Sequence, residues 1–277
     1  MADKLKETRA SWNAATLAHN SHKRDQAAFL RAGGSTLFAD ELALLGDLGG
    51  KRLLHTLCNA GQDTLSLAAL GANVTGIDMS DEAIAFATSL SRDSGIAGTF
   101  ERSEAIAWLE GADARTFDVV FGSYGCLGWI EDLPRFMRGV KRRLVDGGRA
   151  VFLEFHPLVW SFDAAWKPKD PYFAPGRVFS EPVGDYVAQA GPALAPSGFV
   201  EGEPAFVNPH VAHGYQQTVG DIVQSVIDAG LTVQVVREYP YSNGCRIHEG
   251  FVDVGDNRFA PPAPVSLPCM LGVVAAR

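Results

Sequence analysis

The sequence predicts an α/β fold, a doubly wound, mostly parallel seven-stranded sheet with N-terminal helices and an inserted cap. Three observations carry that expectation. Between Lys51 and Phe155, short apolar runs rich in β-branched residues alternate with amphipathic segments, the pattern of βα units laid on a parallel sheet. The first run ends in the tight turn Leu57-Cys58-Asn59-Ala60-Gly61 and the second in Gly76-Ile77-Asp78, which places a carboxylate beside a turn on one sheet edge. From Pro157 to about Gln217 the periodicity dissolves into Pro, Gly and many aromatics, and a stretch that long with that composition reads as a cap rather than a disordered linker.

Taken in order, residues 1–50 read as two or three short helices, broken at Gly33-Gly34 and forming a helical lid. Residues 51–156 form the ligand-binding core, with strands at Arg52–Leu57, Asn73–Asp78, Thr99–Arg102, Phe117–Ser123 and Arg149–Phe155. Ser80 is the expected N-cap of a helix carrying Asp81 and Glu82 in its first turn, and a helix from about Leu133 to Leu144 is expected to stop at Asp146-Gly147-Gly148. Residues 157–217 are the cap, and residues 218–277 return to the sheet. There Thr218 caps a helix that Gly230 stops, and strands follow at Leu231–Tyr239 and Met270–Ala275.

Composition excludes several classes. With 277 residues and 47% hydrophobic content, the chain can bury a full core. Cys58, Cys126, Cys245 and Cys269 lie far apart with no CxxC spacing, against a zinc ribbon, a redox dithiol or a disulfide framework. A net charge of −8, with no basic block longer than Lys141-Arg142-Arg143, gives little support for a nucleic-acid partner. The apolar runs are too short for a membrane span, and the start, Met1 to Glu7, is a charged helical pattern without a signal core, so a cytoplasmic protein is expected, a monomer or homodimer acting on a small molecule.

The turn after the first strand and the acid ending the second are suited to a nucleoside. Asp78 can accept from both ribose hydroxyls while the turn faces the rest of the ligand. Here the sequence resembles the class I, Rossmann-like S-adenosylmethionine-dependent methyltransferases, whose C-G-x-G turn is followed about seventeen residues later by V-D-x-S, as Gly61 is by Asp78. A dinucleotide G-x-G-x-x-G does not fit, since Gly61 alone of its glycines is present. The family's first turn glycine is Asn59 here, a residue that tolerates left-handed backbone.

That resemblance implies S-adenosylmethionine as cofactor, S-adenosylhomocysteine as product, and a cofactor set of Trp12, Cys58, Asn59, Gly61, Asp78, Met79, Glu104, Ala105 and Ser123. Within it, Glu104 would accept from the adenine amine. The Leu144-Val145-Asp146-Gly147-Gly148 entry to strand five also resembles the family, and Phe117–Tyr124 resembles its fourth strand, whose end lies beside the methyl group. The resemblance covers about Lys51 to Phe155. It extends to natural-product enzymes that methylate nitrogen or carbon in preference to oxygen, although no motif selects the acceptor atom.

His210, His213, His156 and Tyr124 border the sheet edge where ligands bind and are the candidate catalytic residues. His19, His22, Trp129, Tyr215 and Tyr241 are candidate substrate contacts. For the histidines the alternative is a structural hydrogen-bonding role, and for the aromatics it is core packing. His210-x-x-His213 lacks an obvious third ligand, so no metal is expected. Two other functions remain open: a non-catalytic, cofactor-sensing regulatory module, favoured by Asn59, and a nicotinamide oxidoreductase, which would require the glycine-rich turn.

Overall fold

The computed structural model describes residues 2–112, 115–174 and 176–277, so Met1 of the charged start lies outside the described residues. In chain order the elements are α1 (Ala2–Ser21), α2 (Gln26–Arg31), α3 (Ala39–Leu45), β1 (Arg52–Thr56), α4 (Gln62–Ala69), β2 (Asn73–Asp78), α5 (Asp81–Ser94), β3 (Thr99–Arg102), α6 (Ala105–Glu110), β4 (Phe117–Ser123), α7 (Leu133–Arg143) and β5 (Leu144–Phe155). The second half continues with β6 (Val178–Glu181), α8 (Tyr186–Ala190), β7 (Ala212–Tyr215), α9 (Val219–Asp228), β8 (Thr232–Tyr239), β9 (Ser242–Asn243), β10 (Val252–Gly255), β11 (Arg258–Ala260) and β12 (Met270–Ala276).

Among the described residues, seven strands form one sheet in the order β3-β2-β1-β4-β5-β12-β8. The first five run parallel, and β12 is antiparallel to both of its neighbours. Successive side chains of a strand point to opposite faces, and both faces are covered. Leu54, Val120 and Phe152 pack with Phe136 and Val140 of α7 and Ile222 and Val226 of α9. Their neighbours Leu53, Val119, Phe121, Val151 and Leu153 pack with Leu44 and Leu45 of α3 and Leu67 of α4. The strand order reverses between β1 and β4, the point at which doubly wound sheets open a crevice at their carboxyl ends.

Caps fix the helix starts as the residue types require. Ser80 Oγ accepts from the Ala83 amide at 3.1 Å, and Thr218 exchanges hydrogen bonds with Asp221 in a capping box. The short α6 is closed at its carboxyl end by Arg143, a buried guanidinium that donates to the carbonyls of Leu109 at 3.0 Å and Trp108 at 2.8 Å and lies 4.8 Å from the Trp108 ring centroid.

Three features depart from expectation. The N-terminal segment opens with one twenty-residue helix rather than short pieces, because Thr8, Ser11, Ala15 and Ala18 are all buried against the cap and core along its length. The helix expected to reach Leu144 ends at Arg143, since Leu144 already pairs with Phe117; Asp146-Gly147-Gly148, with Gly147 at φ +76°, forms a bulge inside β5 instead of a helix stop. The cap is also not confined to 157–217. That segment contributes the β6–β7 ribbon and α8, but residues between β8 and β12 add the three-stranded sheet β10-β11-β9, and Phe259 of β11 and Phe251 just before β10 pack with Val159. No helix among the described residues is long and apolar enough to cross a membrane.

Arg143→Ala strips the buried carbonyls ending α6 of a charged donor, at a cost of roughly 2–4 kcal/mol. Urea denaturation should show a lower midpoint with an unchanged slope.

Candidate active site

The carboxyl ends of β1, β2, β3 and β4 open into a cavity of about 1130 Å³, roofed by α1 and by both cap segments. Its volume exceeds the roughly 300–1,000 Å³ of pockets that hold a single drug-sized ligand.

One edge is built by backbone. Asn59 adopts φ +48° and donates its amide to Asp78 Oδ2 at 2.9 Å, while its own side chain accepts from the Ala60 amide at 2.6 Å. Asp78 Oδ1 accepts from the Ser80 amide at 2.8 Å. The carboxylate is therefore aimed, with lone pairs left for a ligand. The preceding Leu57 also sits at φ +52°, a backbone state that a branched side chain seldom takes and that marks a constrained site. Gly61, at φ +77°, starts α4 from behind this edge: a Cβ there would lie 2.6 Å from Ala87 Cβ and 2.9 Å from the Phe100 ring. It is needed for packing and does not line the cavity. Cys58, Asn59, Asp78, Met79, Glu104, Ala105 and Ser123 all do. Glu104 also caps α6, accepting from the amides of Ile106 at 2.9 Å and Ala107 at 2.7 Å.

The floor is acidic. Burial raises the carboxyl of Asp78 above its ordinary value against the pull of the Ser80, Asn59 and Met79 amides, and does the same to Asp63, which accepts from Thr36 Oγ1 at 2.6 Å and faces Lys23. Glu154, on β5, accepts from the amides of Gly125 at 2.8 Å and Leu127 at 3.3 Å and is pushed up to about 8 by burial. Three cavity carboxyls whose charged form burial disfavours create demand for a cation that would draw them into the carboxylate form. The sulfonium and ammonium groups of S-adenosylmethionine are of that chemistry, so the donor set fits the cofactor.

The opposite wall is aromatic. Trp12 of α1 meets Trp129 edge-on at 5.4 Å between ring centroids, and Tyr186 of α8 lies 4.0 Å from His19; Tyr215 completes this side. Tyr124, at φ +46°, shows its ring to the cavity, but its hydroxyl accepts from Asn243 Nδ2 at 3.0 Å and faces the buried Glu41, and burial raises the phenol well above its ordinary value. It stays protonated, which suits a wall and an orienting group rather than a base.

The other expected catalytic histidines lie elsewhere. His210 is exposed and outside the cavity, because the backbone turns outward at Asn208, whose side chain is anchored to Ser11 and Val183. His213 is bound to Glu7 at 2.6 Å and Ser180 at 2.9 Å, tying β7 to α1 and β6. His156 accepts from the Leu158 amide and donates to Glu238 at 3.0 Å. Of the expected substrate contacts, His22 donates to Asp185 at 2.7 Å and Tyr241 donates to Asp40 at 3.2 Å, both behind the wall. Sequence reasoning missed Asp63, Glu154, Lys23 and Tyr186. Glu154 had a signal, a lone carboxyl in the apolar run Val151–Phe155; Lys23 had none.

Fold and site together define the class: the chain carries a class I, Rossmann-like S-adenosylmethionine-dependent methyltransferase domain. Residues 54–152 match the family described as a methyltransferase domain. Among curated relatives, the ubiquinone biosynthesis O-methyltransferases of Paraburkholderia phymatum and Ralstonia nicotianae are 32% and 33% identical over 118 and 112 residues, covering 42% and 39% of this chain and 49% and 45% of theirs. The chain thus spans about half the length of the curated relatives it matches. An S-adenosylmethionine-dependent methyltransferase from Mesorhizobium loti shares the fold with a TM-score of 0.55 at 22% identity, over 88% of this chain and 99% of that one. A DhpI–SAH complex gives 0.55 at 14% identity over 99% and 97%.

Two outcomes test this geometry. Asp78→Asn, which keeps the shape but loses the charge and one acceptor, should weaken S-adenosylhomocysteine binding about 10–100-fold by calorimetry, the equivalent of about 1.5–3 kcal/mol. The second concerns His55, buried under the turn beside Thr64 Oγ1 at 2.8 Å and held down to about 3 by burial. A base whose folded pKa is depressed contributes fully above its unfolded value near 6.5 and loses that contribution as the pH falls. The stability gap between wild type and His55→Asn should therefore narrow by about 2–3 kcal/mol between pH 7 and pH 4.5 in urea titrations.

Proposed function

We propose that the chain is an S-adenosylmethionine-dependent methyltransferase whose acceptor is a small aromatic or heterocyclic molecule held under the cap. The observation that carries this reading is that the Asp78 edge and the Trp12–Trp129–Tyr186 wall face one cavity with room for two ligands. When bound, the cofactor supplies an electrophilic methyl group on a cationic sulfur.

The chain's own residues then have separable tasks. Asp78 takes the ribose hydroxyls, Glu104 and Ala105 border the adenine, and the Asp63 and Glu154 carboxyls balance the positive charge. The aromatic wall aligns a flat acceptor and keeps water out, the main requirement of an in-line displacement. The name of these relatives puts O-methylation beside the nitrogen and carbon acceptors that the resemblance favours. Asn59, the residue that favours the non-catalytic alternative, takes the left-handed state and donates its amide to Asp78, which supports a working turn.

Calorimetric titration with S-adenosylmethionine and S-adenosylhomocysteine should give micromolar dissociation constants, with none for NADH; the reverse pattern would overturn the reading. On any acceptor that is turned over, His210→Ala should stay within twofold of wild type, because the imidazole lies outside the cavity.

A further inference from the structure

We propose that Arg246 is the anion site of the acceptor pocket, so that the small molecule held under the cap is an aromatic acid whose carboxylate docks on this guanidinium; this rests on the function proposed above. Four lysine or arginine side chains line the cavity: Lys23, Lys169, Arg246 and Arg258. Three of them already have an acid to face. Arg258 donates to Asp40 at 3.0 Å and to Asn243 at 3.4 Å, Lys169 lies 3.9 Å from Glu181, and Lys23 faces Asp63. Arg246 is the exception: among the described residues no carboxylate lies within ion-pair distance of it and no hydrogen bond engages its guanidinium. Nor is it sealed in, since the residue is half-buried and its nitrogens stay open to solvent, and hence to a ligand. Other acids of the cap are committed elsewhere, Asp170 to Arg177 and Asp185 to His22.

The cation is held in place before any ligand arrives. Its guanidinium carbon lies 4.8 Å from the centroid of the Phe259 ring, a buried side chain packed with Val159, Phe251 and Cys269, so the stack is anchored on a core cluster. A file of rings in the cavity lining leads to it from Tyr124, which follows β4, the strand whose end the family sets beside the methyl group. Tyr124 meets Phe155 at 5.6 Å, Phe155 meets Trp160 at 6.3 Å, and Trp160 meets His248 at 6.2 Å between centroids. His248 is fixed by the 2.8 Å bond of its Nε2 to the Val159 carbonyl, and Cys245, Arg246, Ile247 and His248 line the cavity in succession. Tyr186 of the aromatic wall lies within electrostatic reach of Cys245, so both sets of rings border this segment. A flat body laid along the file has its reacting end at Tyr124 and its far end at the Arg246 segment. There a planar carboxylate can take two parallel N–H bonds from the guanidinium, strengthened by partial burial.

The test uses the full chain saturated with S-adenosylhomocysteine and two probes of one skeleton, 2-naphthoate and 2-naphthamide, titrated by calorimetry near neutral pH. Wild type should bind the naphthoate about tenfold or more tightly than the amide. Arg246→Met, which keeps an apolar stem over Phe259, should abolish that preference while leaving the amide and S-adenosylhomocysteine affinities within about threefold. Equal affinity for the probes, absence of naphthoate binding, or a parallel loss of S-adenosylhomocysteine affinity in Arg246→Met would each overturn the proposal. So would a preference that survives Arg246→Met, and its loss in Lys23→Met would then place the anion beside Asp63 instead. If Arg246→Met does not fold, Arg246→Gln decides by the same readings. Failure of wild type to bind S-adenosylhomocysteine would instead overturn the proposed function.

Discussion

The contact on which the site depends is the hydrogen bond from the Asn59 amide to the carboxylate of Asp78. It joins the turn after β1 to the end of β2, and with the Ser80 amide on the other oxygen it fixes a charged acceptor at the sheet's switch point. The bond requires a left-handed residue at position 59, and a strained Leu57 before it brings the amide round. Everything that makes the cavity specific is arranged around this edge: α1 crosses it through Asn13, whose side-chain oxygen accepts from Ser80 Oγ at 2.7 Å, and α4 begins beside it.

That edge belongs to a wider electrostatic design. Asp63, Asp78 and Glu154 stand on different elements, yet burial lifts each of them, and Glu41 behind the wall is lifted further. A protein with a net charge of −8 gains nothing from clustered carboxyls at one cavity floor unless a cation comes to it. Burial disfavours the charge on these groups, and a sulfonium and an ammonium beside them would favour it again. Lys23, also in the cavity lining, is brought down to about 8 by burial with Asp63 opposing.

The sheet was legible because its information is local. Alternating apolar runs, Ser80 and Thr218 as caps and Gly230 as a stop each act within a few residues, and β2, β3 and β4 fall where the pattern places them. The nucleoside edge was legible for the same reason, as two short motifs on adjacent strands. The acceptor side was not. Its residues come from α1, the loop after β4, α8 and the segment before β11, and nothing in a one-dimensional pattern says which histidine of a cap faces inward. Proximity in sequence to the sheet edge singled out His156, His210 and His213, but hydrogen bonds to Glu238, Glu7 and Ser180 and an outward turn at Asn208 remove them from the cavity.

The roof is held by polar ties between the N-terminal segment and the cap. Ser11 Oγ accepts from the Val183 amide at 3.0 Å, Asn208 Nδ2 reaches the Ser11 carbonyl at 2.9 Å, Thr8 Oγ1 accepts from the His213 amide at 3.0 Å, and His22 binds Asp185. Three of these contacts join α1 to the cap and the fourth, from His22 just beyond α1, does the same, so lid and cap are tied together rather than hung as two flaps. Buried polar ties of this kind are directional and costly to break singly, which favours motion of the joined unit over internal rearrangement. The chain thus uses its polar side chains to fasten the roof over the sheet edge.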